Sequence, residues 1–165
     1  MVECHGTGTA LGDPIEAGAL AAVLGTSKAE DPLWLAAGKT NLGHLEAAAG
    51  FAGAAKVISC LQHGRVTSNL HFAELNPHVD LDGLAVPGVV SQLLQTPEDE
   101  LISGLSSFGF GGSNSHVLLA KSKPALLDKG ERRASRRAPR VAMLFTGQST
   151  LRQTTVTTVK TCKMT

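Results

Sequence analysis

Apolar residues gather along this chain into a few blocks separated by glycine, proline and charge, and the spacing within each block predicts its element. The first residues read as a short strand or loop ending in Gly6-Thr7-Gly8-Thr9. Asp13-Pro14-Ile15-Glu16 has the form of a helix start. Asp13 can cap, Pro14 suits the first helical position, and Glu16 completes a capping-box-like pattern. The Ala-rich run that follows carries the helix to about Leu24, where Gly25 stops it. Leu33–Ala37 is an apolar strand candidate that runs into Gly38-Lys39-Thr40-Asn41-Leu42-Gly43-His44.

Leu45–Leu61 has helical length and is dominated by Ala and Gly, with only Glu46 and Lys56 charged. Apolar positions surround it rather than forming one stripe, which predicts burial on nearly all sides. Residues 83–97 are uncharged and contain two prolines, and read as irregular with short strand pieces. Leu101–Ser107 and Ser115–Ala120 read as strands around the tight Phe108-Gly109-Phe110-Gly111-Gly112 turn. Lys121–Arg140 reads as a linker, and Val141–Phe145 as a further strand that opens another domain. The segment after Gln148 has no usable apolar period, and there is no internal repeat.

Composition changes this picture in two ways. The net charge of +1 hides an asymmetry: residues 1–120 hold 4 basic and 12 acidic side chains, whereas residues 121–140 hold 8 basic and 2 acidic. The basic stretch lacks interleaved aromatics, so a solvated linker is favoured over a nucleic-acid contact. Three scattered cysteines, Cys4, Cys60 and Cys162, do not make a disulfide scaffold. Met1–His5 has neither a basic nor an apolar leader region. Residues 101–120 are uncharged and reach spanning length, but their five Ser and four Gly, with Asn114 and His116, do not suit a lipid-facing helix. A cytoplasmic chain without membrane or nucleic-acid partners is the expectation.

Two histidines stand out. His5 precedes a glycine-rich loop and His44 ends one, each following a predicted strand. Strand ends opening into such loops are where α/β folds place reactive groups. A lone histidine is more often structural; two, with Lys39 and Glu46 nearby, favour function. No four-ligand metal spacing emerges from Cys4, His5, Cys60 and His63. Gly6-Thr7-Gly8-Thr9-Ala10-Leu11-Gly12 departs from the dinucleotide-loop spacing.

Four motifs then occur in order: Glu3-Cys4-His5-Gly6-Thr7-Gly8-Thr9, Gly12-Asp13-Pro14-Ile15-Glu16, Lys39-Thr40-Asn41-Leu42-Gly43-His44-Leu45-Glu46 and Ser107-Phe108-Gly109-Phe110-Gly111-Gly112-Ser113-Asn114. Over residues 1–120 they resemble the C-terminal half of a β-ketoacyl synthase, in particular the ketosynthase domain of a modular type I polyketide synthase. The resemblance implies an α/β chain, the C-terminal half of a thiolase-like αβαβα layered fold. Residues 121–140 fall where such proteins have the ketosynthase–acyltransferase linker. Residues 141–148, with Phe145-Thr146-Gly147-Gln148, resemble the start of the acyltransferase domain, and residues 149–165 are an unmatched tail expected to be disordered.

The family reaction is decarboxylative Claisen condensation of an acyl thioester with a malonyl thioester, in polyketide or fatty acid elongation. By resemblance His5 and His44 stabilise the enolate oxygen, Lys39 tunes the site electrostatically, and Glu46 holds it in place. Phe110 takes the family's gating position, its backbone N–H contributing to the oxyanion hole. Thr7, Thr9, Asn41 and Gly111 are supporting positions of the same motifs. The implied partners are an acyl carrier protein bearing phosphopantetheine, malonyl and acyl thioesters, and an N-terminal ketosynthase half, in a family that is homodimeric; no cofactor or metal is expected in this chain.

The family's nucleophilic cysteine lies in that N-terminal half, upstream of where Met1 begins, so the chain is expected to be inactive alone. Cys4 stands where the family usually has a small alanine and reads as a packing substitution. A thiolase is the enzymatic alternative, but it needs a cysteine in the C-terminal Gly-rich turn, and residues 108–112 have none. A non-catalytic complementing fragment or a gene remnant is the alternative of another class. As half a domain, the chain is expected to expose apolar surface.

Overall fold

The structure is a computed structural model that describes residues 1–25, 32–88, 92–93, 101–121, 141–148 and 156–160. Its strands and helices are β1 (Val2–Glu3), α1 (Gly12–Leu24), β2 (Leu33–Ala36), α2 (Lys39–Leu42), α3 (Ala49–His63), β3 (Arg65–Val66), β4 (Leu84–Ala85), β5 (Gln92–Leu93), β6 (Ile102–Phe108), β7 (Asn114–Lys121), β8 (Val141–Gln148) and β9 (Val156–Lys160). A single 3₁₀ turn, Glu46–Ala48, leads into α3.

A mixed sheet of seven strands in the order β4-β2-β1-β6-β7-β8-β9 organises the fold. The strands β4, β2, β1 and β6 run parallel, and β6 through β9 pair antiparallel. Side chains alternate across the parallel part, as strand geometry requires. Met1, Ala36, Leu105 and Leu119 join Val57, Cys60 and Leu61 of α3 in one core. Val2, Leu35 and Leu84 join Ala17 of α1 in the other. The helices α1 and α3 thus cover opposite faces, and β1 is buried between them. That placement carries His5, two residues beyond β1, to the end of the central strands, where parallel sheets open their sites.

The two helices depart from their sequence readings. Gly12 begins α1, with Leu11 at the cap position and no side-chain cap hydrogen bond. The Gly12 N–H is met by Thr9 Oγ1 at 3.0 Å. The capping-box expectation fails because the carboxylates of Asp13 and Glu16 reach the preceding loop instead. The second helix begins at Ala49, not Leu45, after the 3₁₀ turn. It also buries one stripe only, Gly53, Val57, Cys60 and Leu61, while Phe51 on another face is 81% exposed. Its termination is regular: Gly64 takes φ +62°, and its N–H meets the Cys60 carbonyl.

Residues 83–97 contain the short strands β4 and β5, as read. The strand expected at Val141–Phe145 forms over Val141–Gln148, and it adds to the same sheet beside β7. Within 149–165, expected to be disordered, the described residues form β9 against β8. The linker residues 122–140 lie outside the described residues. Leu11, Ile15, Val23, Leu42, Phe51 and Phe110 are exposed, so the described residues carry the apolar surface anticipated. No helix among the described residues is long and apolar enough to cross a membrane.

Candidate functional site

The loop after β1 turns sharply at two glycines, Gly6 at φ +46° and Gly8 at φ +74°. A loop with so little side-chain packing needs its amides satisfied from elsewhere. The Glu16 carboxylate, 8% exposed on α1, accepts the N–H groups of His5 (2.8 Å) and Gly6 (3.0 Å). Asp13 accepts the Gly8 N–H at 3.1 Å. From α2, Lys39 Nζ donates to the His5 carbonyl at 2.5 Å. From β6, the Phe108 N–H donates to His5 Nδ1 at 3.3 Å, with the rings of Phe108 and His5 5.4 Å apart.

His44 sits beyond α2, after Gly43 at φ +76°. Its Nδ1 accepts the Glu46 N–H at 2.9 Å. In a neutral imidazole the nitrogen that accepts is the unprotonated one, so both rings carry their proton on Nε2. The two ring centroids are 6.2 Å apart and nearly perpendicular, at 87°. Both histidines line an open cleft of about 1050 Å³, together with Phe51, Ser107, Phe108 and Phe110.

The surroundings of His5 disfavour its protonation. Burial lowers its pKa, and the neighbouring Lys39 ammonium and His44 ring lower it further, against an opposing pull from Asp13. Glu16 is shifted the other way: burial raises its pKa, although the two amides it accepts hold it down. Cys4 lines a separate cavity of about 540 Å³ rather than the histidine cleft. Burial, then the carboxylates of Glu16, Glu3 and Asp13, push its thiol well above the usual cysteine range. That makes it a poor nucleophile. Cys60, on the buried stripe of α3, also has its thiol pushed up by burial. Cys162 is outside the described residues.

Of the residues singled out in the sequence, His5, His44, Thr7, Thr9, Glu46 and Phe110 line the cleft. Lys39 reaches it through the His5 carbonyl. The Glu46 contact is its backbone N–H, and no ion pair joins its carboxylate to Lys39 among the described residues. Asn41 faces away, donating to the Ser68 carbonyl at 3.4 Å. Gly111 lies in the exposed turn and does not line the cleft. Sequence reading missed the loop-holding role of Glu16 and the amide of Phe108. The spacing Asp13-x-x-Glu16 signalled a paired carboxylate, but helix-start logic sent it to the wrong amides. Among the described residues no group of three or more His, Cys, Asp or Glu side chains could hold a metal ion.

Residues 1–73 match the family described as β-ketoacyl synthase, C-terminal domain. The chain is 49% identical over 125 residues to a phenolphthiocerol/phthiocerol polyketide synthase of Mycobacterium tuberculosis, covering 74% of this chain and 7% of that relative. It is 45% identical over 127 residues to an erythronolide synthase of Saccharopolyspora erythraea, covering 75% of this chain and 4% of the relative. Among solved structures it is similar to the module 6 ketosynthase of the Bacillus subtilis bacillaene synthase, with a TM-score of 0.66 and 35% identity. An oxazolomycin ketosynthase domain of Streptomyces albus gives 0.65 and 37%. In each structural case 74% of this chain covers 22% of the other. The chain therefore spans only a small part of the relatives it matches.

Proposed function

The chain belongs to the β-ketoacyl synthases, as the C-terminal part of a polyketide-type ketosynthase domain, and we propose that it supplies the enolate-stabilising half of their condensing site. One observation carries the reading: each histidine has its Nδ1 occupied by a backbone N–H, which leaves two Nε2–H donors in one cleft. In decarboxylative condensation the malonyl carbon–carbon bond breaks, CO₂ leaves, and the bonding electron pair becomes an enolate. That charge develops on the thioester oxygen, where two neutral N–H donors stabilise it without transferring a proton. The enolate carbon then attacks the acyl thioester, and the thiolate is the leaving group.

Lys39 supports this by adding to burial in disfavouring protonation of His5, since a charged imidazolium would bind the malonate carboxylate rather than release it. The Phe110 N–H, in the turn at the cleft, is the proposed donor to the acyl thioester oxygen. The nucleophilic cysteine comes from outside the described residues, because neither Cys4 nor Cys60 lines the cleft. Carrier proteins deliver both thioesters on phosphopantetheine arms, and the reaction is cytoplasmic.

The test combines two mixtures. Offered acyl- and malonyl-carrier protein alone, the chain forms no condensation product by mass spectrometry. Joined with a cysteine-bearing N-terminal ketosynthase half it does, and His5→Ala or His44→Ala lowers that rate by about 10²–10³. Efficient condensation by the chain alone would overturn the external nucleophile. Full activity of both histidine variants would overturn the enolate role.

A further inference from the structure

A carboxylate that the reaction above does not use is buried directly behind His5. Glu3, on β1, is 2% exposed. Its Oε1 accepts the Gly38 N–H in a short contact. Its Oε2 lies 3.0 Å from Lys56 Nζ on α3, both side chains almost fully buried. Among the described residues neither of those two atoms has a partner of hydrogen-bond geometry, so charge attraction holds the pair. Gly38 immediately precedes Lys39, whose ammonium donates to the His5 carbonyl, and His5 follows Glu3 by two residues. The contacts therefore close a ring: Glu3 side chain to Gly38 amide, Lys39 side chain to His5 carbonyl, and backbone back to Glu3.

The local sequence makes room for this ring. A Cβ at Gly38 would stand 2.9 Å from Glu3 Oε1 and 3.3 Å from Lys56 Cδ. A Cβ at Gly53 of α3 would stand 2.7 Å from Leu105 Cδ1 and 3.4 Å from Glu3 Cγ. Glycine at both places lets the carboxylate reach the amide and lets α3 bring Lys56 to it.

We propose that Glu3 is a positioning residue for the His5 site: held by Lys56, its carboxylate fixes the Gly38 amide and so keeps the Lys39 ammonium on the His5 carbonyl. Its value to catalysis rests on the reading of His5 as an oxyanion donor, but the ring of contacts can be tested without any activity. The groups that face His5 are Lys39 from α2, His44 from the loop beyond it, Asp13 and Glu16 from α1, and Phe108 from β6.

Removing one partner of a buried ion pair strands the other charge, so the informative variants change both. In Glu3→Met/Lys56→Met the acceptor for Gly38 is gone; in Glu3→Gln/Lys56→Met an amide oxygen still accepts it. The readout is the imidazole titration of His5 by NMR in the full chain, with His116 as internal reference. Burial lowers the His116 pKa. The expected result is that the His5 midpoint rises toward the ordinary histidine value in the Met/Met variant, returns in the Gln/Met variant, and His116 stays put in both. An unchanged His5 in the folded Met/Met variant would overturn the proposal. So would a joint shift of His5 and His116, which marks loosening of the whole core. Either failure leaves the enolate reading standing, because that reading is tested by the rate of the histidine variants.

Discussion

The loop that carries His5 is tied to three other elements, to α1 through Glu16, to α2 through Lys39 and to β6 through the Phe108 amide. The loop that carries His44 closes on itself: its ring accepts the Glu46 amide two residues on. Both devices yield the same protonated nitrogen, yet they couple to the fold differently. The placement of His5 depends on contacts from both faces of the sheet, directly through Glu16 of α1 and, in our proposal, through Glu3, Gly38 and Lys39. That of His44 depends on one turn, Gly43 to Glu46, with positive φ at each end. The two imidazoles of the cleft thus combine a position set by contacts across the fold with a position set by local backbone geometry.

The largest way to break this contrast is at Glu16. In Glu16→Ala two backbone N–H groups, of His5 and Gly6, lose their acceptor at once. Each stranded donor costs on the order of 1–3 kcal/mol when buried. Because the adjoining cavity of about 540 Å³ can admit water to this loop, the low end applies, and we expect a loss of about 2–4 kcal/mol for the two together. Glu16→Gln keeps one strong acceptor and should lose about half of that. Urea unfolding at neutral pH measures both, and equal stability of the Ala variant and the parent would show that the clamp contributes nothing.

These couplings also explain what was legible in the sequence. The strands at Leu33, Leu101 and Ser115, and the turn at residues 108–112, follow from runs of apolar residues bounded by glycine, a local signal. Both histidines were found because their glycine-rich surroundings are local too. Glu16 was misassigned because a carboxylate near a helix start satisfies two competing sets of amides, and only the tertiary position of the β1 exit decides between them. The one-sided burial of α3 was missed because Ala and Gly look alike on every face, whereas burial is set by what packs there: Leu105 and Glu3 meet Gly53, and Phe51 opens onto the cleft. Glu3 gave no signal, since the meaning of its charge depends on Lys56, fifty-three residues away.

A smaller effect separates the loops by pH. His5 and His116 both bind protons more weakly in the folded chain than their ordinary value, so unfolding takes up protons in that range. Their contribution to stability is therefore present above the ordinary histidine pKa and is lost as pH falls below it. Glu16 has the opposite sign. Its raised pKa means that the folded chain holds its proton longer, a contribution present at low pH and lost as pH rises through its raised range. Replacing Lys39 by Met removes one cause of the His5 shift and should flatten the histidine part of the curve while leaving the His116 share. Urea midpoints taken from pH 5 to 8 would show it, and an unaltered slope in the Lys39 variant would mean that Lys39 does not set the His5 shift.

The smallest effect is expected at Glu46, on the loop that closes on itself. Glu46 holds φ at +47°, a region that costs a residue with a Cβ about 1–2 kcal/mol, and its carboxylate makes no ion pair among the described residues. Glu46→Gly relieves that cost, gives part of it back through the greater freedom of the unfolded chain, and retains the backbone N–H that fixes His44. The net change should be a stabilisation below about 1 kcal/mol, seen as a slightly higher urea midpoint. The same variant separates the two loops: if Lys39 is held from the Glu3 side, the His5 titration in Glu46→Gly stays where it is in the parent. If the Glu46 side chain were instead what holds Lys39, its removal would let the His5 midpoint rise as far as it does in Glu3→Met/Lys56→Met, and the two loops would prove to be one coupled unit.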